Sequence, residues 1–570
     1  MSGHHEIATP STSPDTPIVA PIDRLPVEIL NRVFFCTIAS FHEDNPCAMS
    51  VILSHVCTRW RNVSIRCKEL WTYTPLQFGK ELLEVALERS SPLPISVNGT
   101  HLPTFKSVER LSFVLRALGR IKDLALKMNG PVAVPISDPN EPENSQSLTN
   151  TSPAPLLESL ILDIDKTFDI SHVWLPENEK LLVRPPPPNI RFIELRHCRV
   201  RDLFSGNVPS SLRFLRLDDV DLLPTSCLFR APLRRLELTR CHIWDDIQRL
   251  LDTLRLLPLL EEFYSIWPRG GVSSFLGEHH EVSVNLPRMK HIRLDGDASA
   301  SAGVLHSIVL PSTTEICLAF DVADVPHNTI GDFALFSSLR SHYSSAAAGQ
   351  VFHEANITGQ RSKDEYRRII VEGFTISLTQ ASHTTMPNDV QEKKHNLGDL
   401  RLTCLPYNGV YYQFDDLAPG LVHAFFDLLF VKNSLYTLTV SAYIFCNGTL
   451  WRGAFSNWDS ITKLTVTEET VSGLFCAFAS PNDPQLFPLL EDLTIYSTGT
   501  RLSALLNGPI LPLLLQEGFR CRRAAGVRPL RRLEIVGNHR PSTVESDTLR
   551  QAVGHTVVLV WDGETEHIYG

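Results

Sequence analysis

The residues best able to do chemistry are thinly spread. The densest group is GEHHEVSV (277–284), which sets His279, His280 and Glu281 side by side. Imidazole and carboxylate are metal ligands, but a site needs several converging donors. Consecutive side chains diverge in both helix and strand. The triplet would need distant partners that the sequence does not name, so it reads as a solvated loop. The phosphate-cradling G-x-x-x-x-G-K-[ST], the nucleophile elbow G-x-S-x-G and the metalloprotease H-E-x-x-H are all absent. Asp218/Asp219 and Asp245/Asp246 read as turn and helix-cap residues. The 12 cysteines include no C-x-x-C pair, so they read as free thiols serving as small core hydrophobes. No cofactor, metal or catalytic set is expected; the chain reads as a binding protein and not an enzyme.

A chain of 570 residues is too long for one compact core unless it is an elongated repeat. The balance of 53 basic against 63 acidic residues, 53 − 63 = −10, gives no reason to expect nucleic acid or an anionic membrane as partner. The longest apolar run, LVHAFFDLLFV (421–431), is far shorter than the roughly 20 residues that span a bilayer. The N-terminus lacks the apolar core of a secretory signal. These features point to a soluble cytoplasmic or nuclear protein.

Residues 1–20 are rich in Ser, Thr and Pro, and are expected to be disordered. An apolar stripe then begins: Leu25, Ile29, Leu30, Val33 and Phe34 recur at helical spacing, with Glu28, Asn31 and Arg32 opposite. Asp23 is the expected N-cap, and Pro26 suits a first turn. After FHEDNPCAM a second helical pattern runs through Val51, Ile52, Val56, Trp60 and Val63, and CKELWTYTP closes with Leu70 and Trp71 before Pro75. Three short helices in residues 21–76 bury little alone, so they either dock on the rest of the chain or offer apolar anchors to another protein.

The ordered pieces IDRLPVEIL, VCTRW with the next Arg, and ELWT make residues 21–76 resemble an F-box. The resemblance implies docking on an SKP-type adaptor and, through it, a cullin–RING ubiquitin ligase. It places Leu25 and Pro26 on the adaptor, and Ile29, Leu30 and Val33 on the adaptor or in the shared core. Val56, Cys57 and Trp60 match its second motif. The link TIASFHEDNPCAMS (37–50) is longer than the usual one. The phrase L-E-R-S-x-P-L-P (87–94) also resembles a feature of fungal F-box-like proteins.

The remainder, 77–570, repeats a phrase. PNIRFIELRHCRV (188–200), APLRRLELTRCHI (231–243) and RPLRRLEIVGNHR (528–540) share L-x-x-L-x-L-x-x-[N/C], the leucine-rich-repeat template. Its apolar positions can be followed from Ile121/Leu124/Leu126 to Leu530/Leu533/Ile535, with Ser265 damaging one copy. Cys198, Cys241 and Asn538 hold the ninth position, at the turn inside the stack. DDIQRLLDTLRLLP (245–258) reads as a capped return helix. The expected fold class is therefore α/β: a small N-terminal α-helical F-box module, then an irregular leucine-rich-repeat solenoid with a curved parallel β-sheet and helices on its convex side. Between 313 and 397 the phrase is lost, although RRIIVEGFTISLTQ (367–380) supplies one alternating strand. Loop insertions are expected near 137–155, 177–189, 337–350 and 381–396.

Strand side chains alternate, so the residues flanking the last template leucine face away from the core. Those positions make Glu194, Arg196, Arg216, Asp218, Glu237, Arg293, Arg401 and Tyr496 the candidates for binding a target. Their bland alternative is a self-satisfied surface ladder. The leading expectation is a substrate-recognition subunit of an SCF-type cullin–RING ubiquitin ligase with an unidentified protein target. A repeat scaffold whose front helices act only as a cap stays open, as does an enzyme on repeats, which needs a placed Arg or Asn that the sequence does not single out.

Overall fold

A computed structural model of the chain describes residues 24–40, 46–75, 79–102, 113–114, 117–128, 155–164, 186–200, 204–244, 246–267, 283–296, 298–311, 313–321, 335, 337–339, 354–363, 369–379, 400–405, 422, 435–441, 445, 447–456, 458–480, 485–497, 510–537, 547, 549–551, 553, 557–561 and 564–566. The tail 1–20, the His279/His280 triplet and Asn538 lie outside them, as do most of the expected insertions. The fold is mixed α/β, dominated by parallel strand pairing, and it divides into two compact units, 1–212 and 213–570.

In the first unit, helices α1 (Val27–Ser40), α2 (Pro46–His55) and α3 (Thr58–Arg66) precede a 3-10 turn at Lys68–Trp71. Most of the long 37–50 link is thus helix, with only 41–45 between α1 and α2. The single second helix read from the sequence is two. Cys57 breaks it with an extended backbone (φ −155), and its thiol accepts from the Trp60 N–H at the start of α3. Strand β1 (Tyr73–Pro75) follows at once, then α4 (Lys80–Arg89), β2 (Ile95–Leu102), β3 (Ile121–Met128), β4 (Ser159–Ile164) and β5 (Phe192–Arg196), each strand parallel to the one before. Leu124, Leu160 and Ile193 stand in register, as do Leu126, Leu162 and Leu195, and all are buried. The L-E-R-S-x-P-L-P phrase is the end of α4 and its exit turn. Arg120 secures it, donating to the carbonyls of Leu87 (3.1 Å) and Leu93 (3.0 Å) and to the Ser90 hydroxyl (2.8 Å).

In the second unit, β6 (Phe214–Asp218), β7 (Arg235–Thr239), β8 (Glu262–Ile266), β9 (His291–Gly296) and β10 (Glu315–Asp321) form a parallel run. The template positions fill its core, and Ser265 is buried where the damaged copy lacks its leucine. The return segments vary. Helix α5 (Ile247–Arg255) starts at an Asp246 cap, as its sequence indicates, and α6 (Ala298–Ser307) follows β9, but β6 and β7 are joined through a two-residue strand at Asp221–Leu222 and a 3-10 turn at Cys227–Arg230, with no α-helix. Cys241 occupies its expected inner turn. Its thiol reaches the Leu217 and Thr239 carbonyls (3.4 and 3.3 Å), and burial pushes its pKa up to about 11. Just before it, Arg240 takes a left-handed backbone (φ 53), as Asp219 does one repeat earlier (φ 57). That turn aims each N–H at the end of the next strand, Asp219 to Thr239 and Arg240 to Ile266.

The lost phrase has a topological cause. Strands β11 (Glu354–Lys363), β12 (Ile369–Thr379) and β13 (Leu400–Leu405) form an antiparallel meander. β13 lies parallel beside β10, and β11 lies parallel beside β14 (Thr437–Ser441). The meander is laid into the sheet in reverse order, so the gap holds two strands, β11 and β12, where one was read, and β13 carries the next template copy at Leu400 and Leu402. Parallel pairing then resumes through β15 (Lys463–Thr467), β16 (Asp492–Ser497), β17 (Arg532–Gly537) and β18 (Val558–Trp561), and β19 (Glu564–Glu566) turns back antiparallel on the last.

Helices α7 (Gly448–Phe455), α8 (Glu468–Phe478) and α9 (Ile510–Ala524) serve these strands. A packed aromatic group of Phe445, Trp451, Phe455, Trp458 and Phe487 lies among them. Arg522, buried against Phe478, donates to the Leu486 and Phe487 carbonyls (2.6 and 3.1 Å), and desolvation lowers its pKa to about 10. At Gly448 a Cβ would sit 2.9 Å from the Ala477 nitrogen. Because that neighbour is backbone and cannot swing away, Gly448→Ala is expected to cost about 1–3 kcal/mol, read as a lower denaturant midpoint at unchanged slope.

Candidate functional site

Two surfaces hold the residues singled out by sequence. The first is the helical module. Leu30, Phe34, Leu53, Val63, Cys67, Leu70 and Trp71 form its core, and Trp60 packs against Phe34 with ring centroids 5.0 Å apart. The core is locked by polar contacts. The Trp71 indole donates to the Ser64 carbonyl (2.8 Å), the Ser50 hydroxyl to the Leu70 carbonyl (2.6 Å), and the Arg61 guanidinium to the Ser54 carbonyl (3.0 Å). The Arg59 guanidinium reaches from α3 to the Leu25 carbonyl and ties the entry of α1 to that helix. Trp71 also carries Arg89 of α4 over its ring at 4.3 Å, and Ala86 of α4 belongs to the same core.

The apolar stripe of α1 therefore splits. At about 100° per residue, Leu30 and Phe34 point one way and are fully buried, while Ile29 and Val33 lie on the adjoining flank and stay 46% and 39% exposed. Leu30 is thus a core residue and has no surface to offer a partner. Pro26 is exposed and Leu25 half-buried. Just after α2, Val56 is exposed and Cys57 is spent on the α3 cap. Trp60 is half-buried as a packing residue. The sequence reading missed Ile52, which lies four residues before Val56 and is equally exposed at 55%. The i, i+4 spacing was the available signal.

The second surface is the open face of the sheet in each unit. In the first unit Glu194 is buried, only 4% exposed, and is ion-paired with Arg196, two positions on and on the same face. It is therefore not available to a target. Asp163, also buried, meets Lys127 (3.3 Å) and His197 Nδ1 (3.0 Å). Burial alone would raise the Asp163 pKa, but these two neighbours outweigh it and hold the carboxyl below its ordinary range. Ser96 donates to Asp123 at 2.7 Å on the same face.

In the second unit one row crosses the sheet in register: Arg216, Glu237, Tyr264, Arg293, Cys317 and Arg401. The charges of Arg216, Glu237 and Arg293 are answered within the sheet. Glu237 meets Arg216 (3.3 Å) and Arg235 (2.7 Å), Arg293 meets Asp295 (2.7 Å), and Asp218 meets Arg240 (2.9 Å). Arg235 lies over the Phe214 and Tyr264 rings (4.8 and 4.9 Å), a stack that no template position signals. Beyond the meander the row becomes Thr439, Thr465, Thr494 and Glu534, with exposed Tyr496 beside it. The Arg401 backbone is placed in register. Among the described residues no group of three His, Cys, Asp or Glu is arranged to hold a metal, and no helix is long and apolar enough to cross a membrane.

No protein-family model matches the chain, and no curated protein matches it. Among solved structures, the TLR13–ssRNA13 complex is similar over 83% of this chain and 45% of that chain, at 11% identity and a TM-score of 0.28. The chain thus spans less than half of that protein's length.

The split stripe makes a sharp contrast testable. Leu30→Ala is expected to cost about 2–5 kcal/mol, whereas Ile29→Ser and Val33→Ser stay within about 0.5 kcal/mol of the parent, all read by chemical denaturation. For Asp163 the depressed pKa means its contribution is full above the unfolded value of about 3.9 and is lost as pH falls through the lower folded value. Asp163→Asn should therefore lower the melting temperature at neutral pH and converge with the parent in strong acid.

Proposed function

We propose that the chain is a substrate receptor of an SCF-type cullin–RING ubiquitin ligase, its front helices an F-box docked on an SKP-type adaptor and its repeats holding a protein target. One observation carries the reading. The module completes its core with Leu30, Phe34 and Trp71 yet leaves Pro26, Ile29, Val33, Ile52 and Val56 exposed. Exposed apolar groups clustered on one small module mark a binding surface, and helix-borne anchors at i, i+3 and i+7 suit a groove on a partner. The function is proximity: the adaptor side and the target side are held on one chain, so that a ubiquitin carrier meets the target's lysines at high effective concentration. This reading supplies binding and positioning, with the chemistry done by other subunits.

A second reading has its own support. The module core takes in Ala86 of α4, and β1 is the first strand of the sheet, pairing Tyr73 with Ser96. Terminal caps of repeat proteins behave in this way, and a front module that serves only as a cap gives a scaffold with no ubiquitination role. Removing residues 1–76 would strip β1 from the sheet under either reading, so truncation does not separate them. Surface charge does. Ile29→Asp/Val33→Asp should fold with an unchanged melting temperature and lose co-purification with an SKP-type adaptor by at least about tenfold. Full retention of an adaptor by this variant, or no adaptor with the parent chain, would sink the receptor reading and leave the cap.

A further inference from the structure

Arginines crowd the turn between α9 and β17. Residues 520–532 hold six of them, Arg520, Arg522, Arg523, Arg528, Arg531 and Arg532, with no acid among them. The turn that carries them is pinned. Gly526 takes a left-handed backbone (φ 69), its N–H meets the Arg523 carbonyl (3.1 Å), and the Val527 N–H meets the Arg522 carbonyl (3.3 Å). The Arg528 N–H then reaches the Pro488 carbonyl (3.2 Å), and the Arg531 and Arg532 N–H groups share the Glu491 carbonyl (2.8 and 3.1 Å). The Arg522 guanidinium braces the turn from inside, donating also to the Arg528 carbonyl (3.5 Å).

The charges do not cancel there. Glu517 pairs Arg520, Glu491 pairs Arg528, Asp492 pairs Arg531 (3.0 Å) and Glu534 pairs Arg532 (3.2 Å). Six cations against four acids leave 6 − 4 = +2, in a chain of net charge −10. The two unmatched arginines differ. Arg522 is buried on carbonyls, with no carboxylate partner among the described residues. Arg523 is exposed in the last turn of α9, with no ion-pair partner among the described residues. The paired arginines also stand outside their acids. The Arg531 side chain is 68% exposed against 18% for Asp492, and Arg528 is 52% exposed against 30% for Glu491. Whatever approaches meets guanidinium first.

The chemistry selects the occupant. Guanidinium is matched to carboxylate here already, Arg531 reaching both Asp492 oxygens (3.1 and 3.0 Å). Residues 520–532 contain no aromatic ring on which a nucleic-acid base could stack. The rest of the chain carries −10 − 2 = −12, which repels an extended polyanion or an anionic membrane more than a short segment. We propose that the turn between α9 and β17 is a docking patch for a short acidic segment of a partner protein, whose carboxylates meet Arg523 and the outer sides of Arg528, Arg531 and Arg532. A turn already fixed by its own hydrogen bonds loses little entropy on binding. The patch uses no residue of the front module and holds under either reading of it.

The test uses the full chain and a short fluorescein-labelled peptide of alternating Glu and Gly, followed by anisotropy. The expected result is saturable binding that weakens with salt, and little binding of the matching Gln–Gly peptide. Arg523→Glu should weaken binding about tenfold, equivalent to about 1.4 kcal/mol, at a near-parent melting temperature. Arg288→Glu makes the same charge change at another exposed position, in the turn before β9, and should bind the peptide as the parent does. The Ile29→Asp/Val33→Asp variant should also bind it as the parent does, so failure of either idea is read separately. No saturable binding, indifference to Arg523→Glu, or an equal loss in Arg288→Glu overturns the proposal and leaves the arginines as a solvated rim. Tighter binding of a short DNA duplex, or of vesicles containing phosphatidylserine, overturns it in favour of a phosphate surface.

Discussion

The outward rows of the described strands are set by one constraint, the in-register stacking of apolar pairs from strand to strand. Leu236 and Leu238 must sit over Leu215 and Leu217, and under Phe263 and Ser265, because each pair buries the next. A parallel ladder with that requirement cannot slip by one residue without turning its leucines to solvent. The outward positions are therefore fixed as strictly as the inward ones, and they fall into straight rows. The constraint even survives the antiparallel meander. Leu378 of β12 pairs Leu400 of β13, and Ala355 of β11 pairs Leu438 of β14, so β12, the one strand of the meander running the other way, keeps the register phase of its neighbours. The row is continuous in register from Arg401 through Ser377 and Asn356 to Thr439.

How much of this was legible follows from the same constraint. Wherever the strand states its alternation in leucines, sequence and structure agree, as at 212–238 and 490–535, because burial is what the pattern records. Trp71 and the Cys241 turn were readable for the same reason. β11 was not: EANITGQRSK has few apolar residues, so no periodicity marks it, and only its partners make it a strand. The break at Val56–Cys57 was hidden because the apolar spacing continues across it; a thiol acting as N-cap, at 3.4 Å from its N–H, is an uncommon signal. Glu194 was misjudged because alternation tells which face a side chain takes but not what lies over it. It is buried and paired with Arg196, on the same face of the same strand.

The helical module shows two demands met by one helix. A stripe wide enough to fill the core and also leave a flank outside is wider than packing requires. Leu30 and Phe34 satisfy the core, and Ile29 and Val33 then sit in water for no stabilising return. Placing such a surface on a module that Arg59, Arg61 and the Trp71 indole hold rigid keeps its geometry fixed before any partner arrives, which reduces the ordering entropy lost on binding. That module is joined directly to the sheet, its core taking in Ala86 of α4 and β1 pairing β2, so its exposed flank is not set off by a flexible linker.

The open face divides along a different line. From β6 to β10 a partner would have to desolvate ion pairs that already satisfy one another, and breaking Arg216 from Glu237 or Arg293 from Asp295 leaves a charge to be matched anew. The strength of an approaching partner there is limited by that exchange, and what such a row does well is reject a partner of the wrong charge pattern. From β14 to β16 the threonine hydroxyls are neutral, so covering them costs only ordinary hydroxyl desolvation, and Tyr496 beside them offers a large amphipathic surface of the type that carries interface energy. An ion-paired stretch and a hydroxyl-bearing stretch are thus separated along one sheet. The reversed meander lies at the boundary between them, pairing β10 through β13 on one side and β14 through β11 on the other.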